Sequence, residues 1–135
     1  MIVLSNTIAQ TIQPGQSLTF NNVVMHTGCA ECHRDNTGYV LLKALGGIYE
    51  CSFGANIGST APGDAQLSIA INGSPILETT MISTTAAAGD LNRVSSDTAI
   101  RTCCGNAGES ITVINTGTTE VTVGADPCLF IKRIA

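Results

Sequence analysis

The chain of 135 residues and 13.9 kDa is long enough for one domain that buries its own hydrophobic core. Only 12% of the residues are charged, the net charge is −4, and the six Lys and Arg residues form no basic stripe that would bind nucleic acid. No apolar run reaches the roughly eighteen residues needed to cross a bilayer, and the first residues lack the pattern of a signal peptide. The composition therefore argues against nucleic acid as a partner and against insertion into a membrane.

The first part of the chain predicts short β-strands separated by turns. Two short alternating segments, at 2–4 and 7–12, end at Pro14-Gly15 and predict edge strands, and further apolar segments follow at 17–20 and 23–26. A loop that contains Gly and Cys is expected through about Thr37, followed by a strand at 39–45. These segments predict short strands of a β-sheet protein.

Two central segments have the strongest strand pattern, in which every second residue is apolar. In the first segment these residues are Tyr49, Cys51, Phe53, Ala55 and Ile57. In the second segment they are Ala65, Leu67, Ile69 and Ile71. The second segment ends in Asn72-Gly73, a dipeptide that favours a tight hairpin turn. Such alternation is typical of strands with one face buried.

The remaining sequence predicts more strands and no helix. We expect a return arm at 76–82, a loop of small residues at 83–90, and strands at 94–104, 110–115, 118–123 and 128–134. About eight to ten strands at turn spacings near ten residues are typical of an all-β sandwich or jelly roll. Residues 1–135 are expected to form one domain of this class.

The polar residues favour a structural role over catalysis. Ser, Thr, Asn and Gly are abundant, so the exposed strand faces should carry mainly hydroxyl and amide groups, which suits side-by-side packing of subunits. The sequence has only two histidines and no Gly-x-Ser-x-Gly elbow, so no enzyme activity and no cofactor are predicted. Six cysteines without a signal peptide predict a protein that reaches an oxidising exterior by another route, such as cell lysis.

One local motif, Cys29-Ala-Glu-Cys32-His33, matches the C-x-x-C-H pattern of covalent haem attachment. Its context disfavours haem, because no export signal and no helix are predicted, and the candidates for the other axial position, Met25 and His26, are too close in sequence to reach over the iron.

The same residues allow two other interpretations. Zinc is one alternative, because His26, Cys29, Cys32 and His33 supply four ligands, although a single short loop does not easily wrap a tetrahedron. The interpretation that we favour is a surface loop in which Cys29 and Cys32 form a local or intersubunit disulfide, with His33 and Arg34 contacting a neighbouring subunit.

Three segments of the sequence resemble a known family: Gly47-Ile-Tyr-Glu-Cys-Ser-Phe, Leu67-Ser-Ile-Ala-Ile-Asn-Gly and Leu129-Phe-Ile-Lys-Arg-Ile. They are similar to the tumour-necrosis-factor-like and complement-globular-head-like jelly rolls of Firmicutes. Those domains form the C-terminal heads of collagen-like spore-surface glycoproteins, and related domains occur in phage fibres. A second resemblance, to short uncharacterised clostridial proteins, rests on four further segments: His33-Arg34, Ser52-Phe-Gly-Ala-Asn-Ile, Thr80-Met-Ile and Cys103-Cys104.

The resemblance spans roughly residues 10 to 135 and implies a two-sheet antiparallel jelly roll that usually trimerises and has no catalytic activity. In the strand order of a jelly roll, the strand at 47–57 lies antiparallel beside the strand at 94–104. Cys51 and Cys104 then point inward, where they form a bridge or pack as buried thiols. Cys103 points outward, so Cys103 and Cys128 are candidates for disulfides between subunits.

These observations predict a non-enzymatic subunit that self-associates, as a trimer or a larger assembly, on an extracellular surface such as a spore outer layer, a filament or a virion. One alternative is a trimeric module that presents a loop, such as residues 83–93, to a surface receptor or glycan. Another alternative is a haem or metal protein centred on Cys29, Cys32 and His33.

Overall fold

The computed structural model describes residues 1–44, 46–102 and 108–135. Over these residues the chain forms β-strands and one short 3-10 turn, Leu77–Thr79. The strands are β1 (Ile2–Ser5), β2 (Gln10–Ile12), β3 (Asn22–His26), β4 (Glu31–His33), β5 (Val40–Leu42), β6 (Ile48–Ser59), β7 (Gly63–Ile71), β8 (Ser74–Pro75), β9 (Met81–Thr85), β10 (Asn92–Arg101), β11 (Glu109–Asn115), β12 (Val121–Val123) and β13 (Cys128–Arg133). Their number exceeds the predicted eight to ten because five of them have three residues or fewer. The described residues contain no helix long and apolar enough to cross a membrane.

The first sheet, sheet A, is built around the long strand β6. Strand β10 runs antiparallel along one edge of β6 without a register shift, from Asn92 opposite Ile57 to Arg101 opposite Ile48. Strands β12 and β13 follow one another along β6, and β2 and β1 pair with them in turn. Strand β3 pairs with β1 at the end of the sheet. The predicted antiparallel pairing of the segments at 47–57 and 94–104 is confirmed.

The second sheet, sheet B, is built around β7 and β11, which pair in antiparallel register. Strands β5 and β4 extend the sheet beyond β11, and β8 and β9 both pair with β7. Both sheets are therefore antiparallel, and the predicted fold class, a two-sheet β-sandwich, is confirmed.

The core lies between the sheets and consists of the alternating apolar side chains of the two central strands. The predicted inward residues of β6 and β7 are at most 2% exposed, except for Ile71, which is partly exposed. Burial of each large apolar side chain stabilises the fold by about 1.5–3 kcal/mol. Because successive strand residues point to opposite sides, filling the core with one set of residues directs the other set outward.

Two buried polar side chains hold the ends of the sandwich. The hydroxyl of Tyr49 donates to the Ala30 carbonyl at 3.0 Å and accepts the Ala44 N–H at 3.2 Å. The Asn115 amide donates to the carbonyls of Ile12 at 3.0 Å and Thr119 at 2.8 Å. These hydrogen bonds satisfy polar groups whose burial without partners would be costly. They also connect loops to the central strands.

The hairpin predicted at Asn72-Gly73 is present, with φ angles of 50° and 81°, but its return arm differs from the prediction. Strand β8 is only two residues long, and the chain then forms the 3-10 turn before β9 begins at Met81. The reason is the hydroxyl of Thr79, which accepts the Ile69 N–H at 2.9 Å and so satisfies this strand donor with a side chain. Residues 83–85, expected in a loop, therefore belong to β9.

Two further segments differ from the prediction. Residues 17–20 make only isolated bridges, although Leu18 and Phe20 are fully buried. The Leu18 N–H donates to the Val113 carbonyl at 2.9 Å, so this segment crosses to β11 without forming a ladder. The predicted Cys loop contains a short strand, β4, which pairs with β5.

Candidate interaction surface

The outer face of sheet A carries apolar side chains that are not part of the core. Leu4, Phe53 and Leu129 point inward from adjacent strands and are at most 2% exposed. Their chain neighbours Val3 and Phe130 consequently point outward, although both are apolar. This face therefore carries apolar side chains that the core does not use.

These outward residues form a line across five strands, which we name the outer row. Each member lies directly opposite the next in the strand register, in the order Met25, Val3, Phe130, Ser52 and Asp97. Met25 is 46% exposed, and Val3 and Phe130 are half-buried. The composition predicts hydroxyl and amide groups on the exposed faces, and the outer row departs from that expectation at its apolar end.

A second, different surface lies on the side of the sandwich where β9, β10 and the 3-10 turn meet; we name it the side surface. Strand β10 is an edge strand that pairs with β6 alone within the described ranges. The 3-10 turn contacts β10, and its residue Leu77 is 78% exposed. On β9, Ile82 is 55% exposed. Open edges with exposed apolar residues beside them favour contact with another protein surface.

The predicted disulfide cysteines occupy different environments. Cys51 is fully buried in β6 among the core residues, and this desolvation raises the pKa of its thiol to about 12. Cys128 is exposed on the outer face of sheet A, opposite Ser5 and Gly54. The predicted partner of Cys51, Cys104, lies outside the described residues, as does Cys103. The Cys51–Cys104 bridge and the intersubunit roles of Cys103 and Cys128 stay predictions.

Of the four residues predicted as alternative metal ligands, the two histidines make hydrogen bonds to backbone carbonyls. Nε2 of His26 lies 3.0 Å from the Glu31 carbonyl oxygen, and Nδ1 of His33 lies 2.9 Å from the Tyr39 carbonyl oxygen. Within the part of the chain that the structure describes, no group of three or more His, Cys, Asp and Glu side chains is placed to hold a metal ion. Cys29 and Cys32 are free thiols, and the disulfide between them stays a prediction.

The loop predicted to present a ligand-binding surface is shorter than expected. Strand β9 includes residues 83–85 and β10 begins at Asn92, so the connection comprises residues 86–91. All six of these residues are exposed. The side chain of Leu91 nevertheless lies over Gly58 and Gly124, where an added Cβ would be 3.2 and 3.1 Å from it. The loop is thus anchored at its C-terminal end.

The architecture matches solved structures of low sequence identity. The globular domain of zebrafish complement 1qA covers 98% of this chain and 98% of its own, with 16% identity and a TM-score of 0.67. The Eiger TNF of S. frugiperda covers 99% of this chain and 91% of its own, with 9% identity and a TM-score of 0.76. The PRD1 vertex protein P5 covers 99% and 97%, with 12% identity and a TM-score of 0.52.

No protein-family model and no curated protein matches the sequence. The likeness is therefore one of fold, and it agrees with the strand order and the buried alternation described above. The chain has the jelly-roll fold of the complement 1qA globular domain and of tumour necrosis factor, as the sequence resemblance predicts.

Proposed function

We propose that this protein is a non-enzymatic structural subunit that self-associates into trimers or larger assemblies on an extracellular surface, such as a spore outer layer, a filament or a virion. The observation that carries the proposal is the apolar end of the outer row, Met25, Val3 and Phe130, which lies outside a core that is already filled. Burial of these side chains against a second copy would remove them from water and so favour association.

The two candidate surfaces are unlike one another, and this difference favours a ring. The outer row lies on a sheet face, whereas the side surface combines an open strand edge with Leu77 and Ile82. When unlike surfaces of identical subunits meet, the assembly closes into a ring if the rotation allows it. A typical stable interface takes roughly 800 Å² from each partner, a modest part of the 6400 Å² that this chain exposes.

The exposed thiol of Cys128 lies on the same face as the outer row, opposite Gly54 of β6. In an oxidising exterior, such a thiol at a subunit contact would form a disulfide with another cysteine whose Cα lies within about 7 Å. We propose Cys103 and Cys128 as the cysteines that lock subunits together, so oxidation would follow association and strengthen it.

Sedimentation of the purified protein tests the proposal, together with the variant Val3→Asp, which alters the outer row away from the recess that Phe130 lines. We expect the native chain to sediment as a trimer or larger. The dissociation constant of the variant assembly should be at least tenfold higher, because a charge would be buried at the contact. The matched control is Ile8→Asp, which places the same charge on a 64% exposed residue outside the outer row. A native protein that remains monomeric at every concentration, with and without reductant, would refute self-association.

A trimeric module that binds a receptor or a glycan is the second candidate, because the connection at 86–91 is exposed throughout. A screen of immobilised glycans with the native trimer distinguishes the two candidates. Saturable binding that is lost when Ala87 is changed to Trp would support the binding module, whereas assembly into rings or fibres without such binding would support the structural subunit.

A further inference from the structure

We propose that the recess around Arg93, on the outer face of sheet A, is a carboxylate-binding site. The recess has a volume of about 230 Å³ and is lined by side chains and backbone of β6, β10 and β13. Its principal lining residues are Ser52, Gly54, Arg93, Ser95, Cys128 and Phe130.

Gly54 gives Arg93 its position against the sheet. A Cβ atom on residue 54 would lie only 2.7 Å from a terminal nitrogen of the Arg93 guanidinium, so the glycine leaves space that the guanidinium occupies. Gly54 has ordinary strand geometry in the middle of β6, and its backbone conformation does not require a glycine. Close approach of the guanidinium is therefore the structural role of the missing side chain.

The guanidinium has no carboxylate partner within the described ranges. The ion pair that the described residues do contain joins the Met1 amino group to Glu31, and it does not involve Arg93. Asp97 is on the same strand and the same side as Arg93, with about 13 Å between their Cα atoms, and the described residues show no ion pair between the two side chains. The five N–H donors of the guanidinium are thus available for a ligand.

The other lining groups favour a single carboxylate over a larger anion. The hydroxyls of Ser52 and Ser95 line the recess, so both can donate to a ligand. The planar guanidinium matches a carboxylate through two parallel hydrogen bonds, and Phe130 adds an apolar group to the lining. A phosphate dianion would bind less well than a carboxylate of single charge, because the recess supplies one cation in a chain of net charge −4.

The carboxylate has two sources with the same chemistry, an Asp or Glu side chain of a second copy or a free carboxylate ligand. The first source rests on the proposed self-association, because the recess adjoins Phe130 of the outer row. The second source does not depend on it, so the two can be separated experimentally.

The first experiment titrates the native protein with sodium acetate, against sodium chloride at equal ionic strength, and follows the backbone amide signal of Ser95, which lines the recess, by NMR. We expect a saturating shift that weakens about tenfold in Arg93→Lys, which keeps the charge but loses the planar fork. Gly54→Ala should have the same effect, because the added methyl displaces the guanidinium. The control Arg101→Lys, on the same exposed side of β10, should leave the titration unchanged.

The second experiment measures the dissociation constant of the native assembly and of the same three variants by sedimentation. If Arg93→Lys and Gly54→Ala weaken assembly about tenfold and Arg101→Lys does not, a second copy supplies the carboxylate. If assembly is unchanged but acetate saturates, the ligand is a free carboxylate. If the native protein is monomeric, the proposed function fails while the acetate titration still decides the site. Absence of a saturating acetate shift, together with assembly that is insensitive to Arg93→Lys and Gly54→Ala, overturns the carboxylate site.

Discussion

The buried thiol of Cys51 makes the stability of this protein depend on alkaline pH. Cys51 is fully buried in β6, and desolvation raises the pKa of its thiol from 9.0 to about 12. Replacement of Cys51 by Val keeps an apolar side chain of similar size and removes the titrating group. Comparison of the two proteins at two pH values isolates the contribution of the thiol.

The direction and size of the effect follow from the two pKa values. Between pH 9 and pH 12 the unfolded chain loses the thiol proton while the folded chain keeps it, so the native state binds more protons and stability falls as the pH rises. Below pH 9 the thiol is protonated in both the folded and the unfolded state, so the stability of the protein is not reduced by ionisation of Cys51. At pH 10.5 the unfolded thiolate lowers the free energy of unfolding by about 2 kcal/mol relative to pH 8. The Cys51→Val variant lacks this loss.

Urea unfolding followed by circular dichroism, with reductant present, measures the difference. We expect the native protein to lose about 2 kcal/mol more than Cys51→Val between pH 8 and pH 10.5. The core substitution Ile69→Val does not titrate and should give the same destabilisation at both pH values. An equal pH dependence for the native protein and Cys51→Val would refute the assignment of Cys51 as a buried protonated thiol.

Other substitutions test single contacts of the fold. Tyr49→Phe leaves the Ala44 N–H without its acceptor and removes one of the two donors to the Ala30 carbonyl, so it should lower the free energy of unfolding by about 1–3 kcal/mol, measured by urea unfolding at pH 7; an unchanged midpoint would show that the hydroxyl bonds contribute nothing. Gly58→Ala places a Cβ only 2.0 Å from a backbone oxygen, so we expect a loss of more than about 2 kcal/mol. Gly54→Ala, whose near neighbour is the end of a flexible side chain, should change thermal stability far less, and equal losses at the two glycines would contradict the backbone clash.

The fold class could be predicted because alternation is local and strong in the central strands. Tyr49, Cys51 and Phe53 are spaced at two residues, and the structure buries all three. The turn at Asn72-Gly73 could be predicted as well, because this dipeptide favours positive φ angles, and both residues adopt them. These signals depend only on near neighbours in the chain.

Other features could not be predicted because they depend on partners distant in sequence. The return arm of the hairpin leaves the ladder because the Thr79 hydroxyl satisfies the Ile69 N–H, and no pattern around Thr79 indicates that bond. Likewise, β4 exists because Glu31 to His33 pair with β5, although the composition of that segment is typical of a loop. Strand propensity is weaker than tertiary pairing in such short segments.

The candidate interaction surface likewise combines a local signal, the alternation of side chains along a strand, with a long-range one, the register between strands. The sequence indicates that Phe130 and Val3 alternate with core residues, but it does not indicate that they lie opposite one another. Only the antiparallel register of β1, β13 and β6 aligns the two side chains beside Ser52. Their apolar surface has no role in the core, because Leu4 and Leu129 already fill the inward positions. A second copy packed on the outer row would account for both residues, whereas a permanently monomeric protein would leave them without a function.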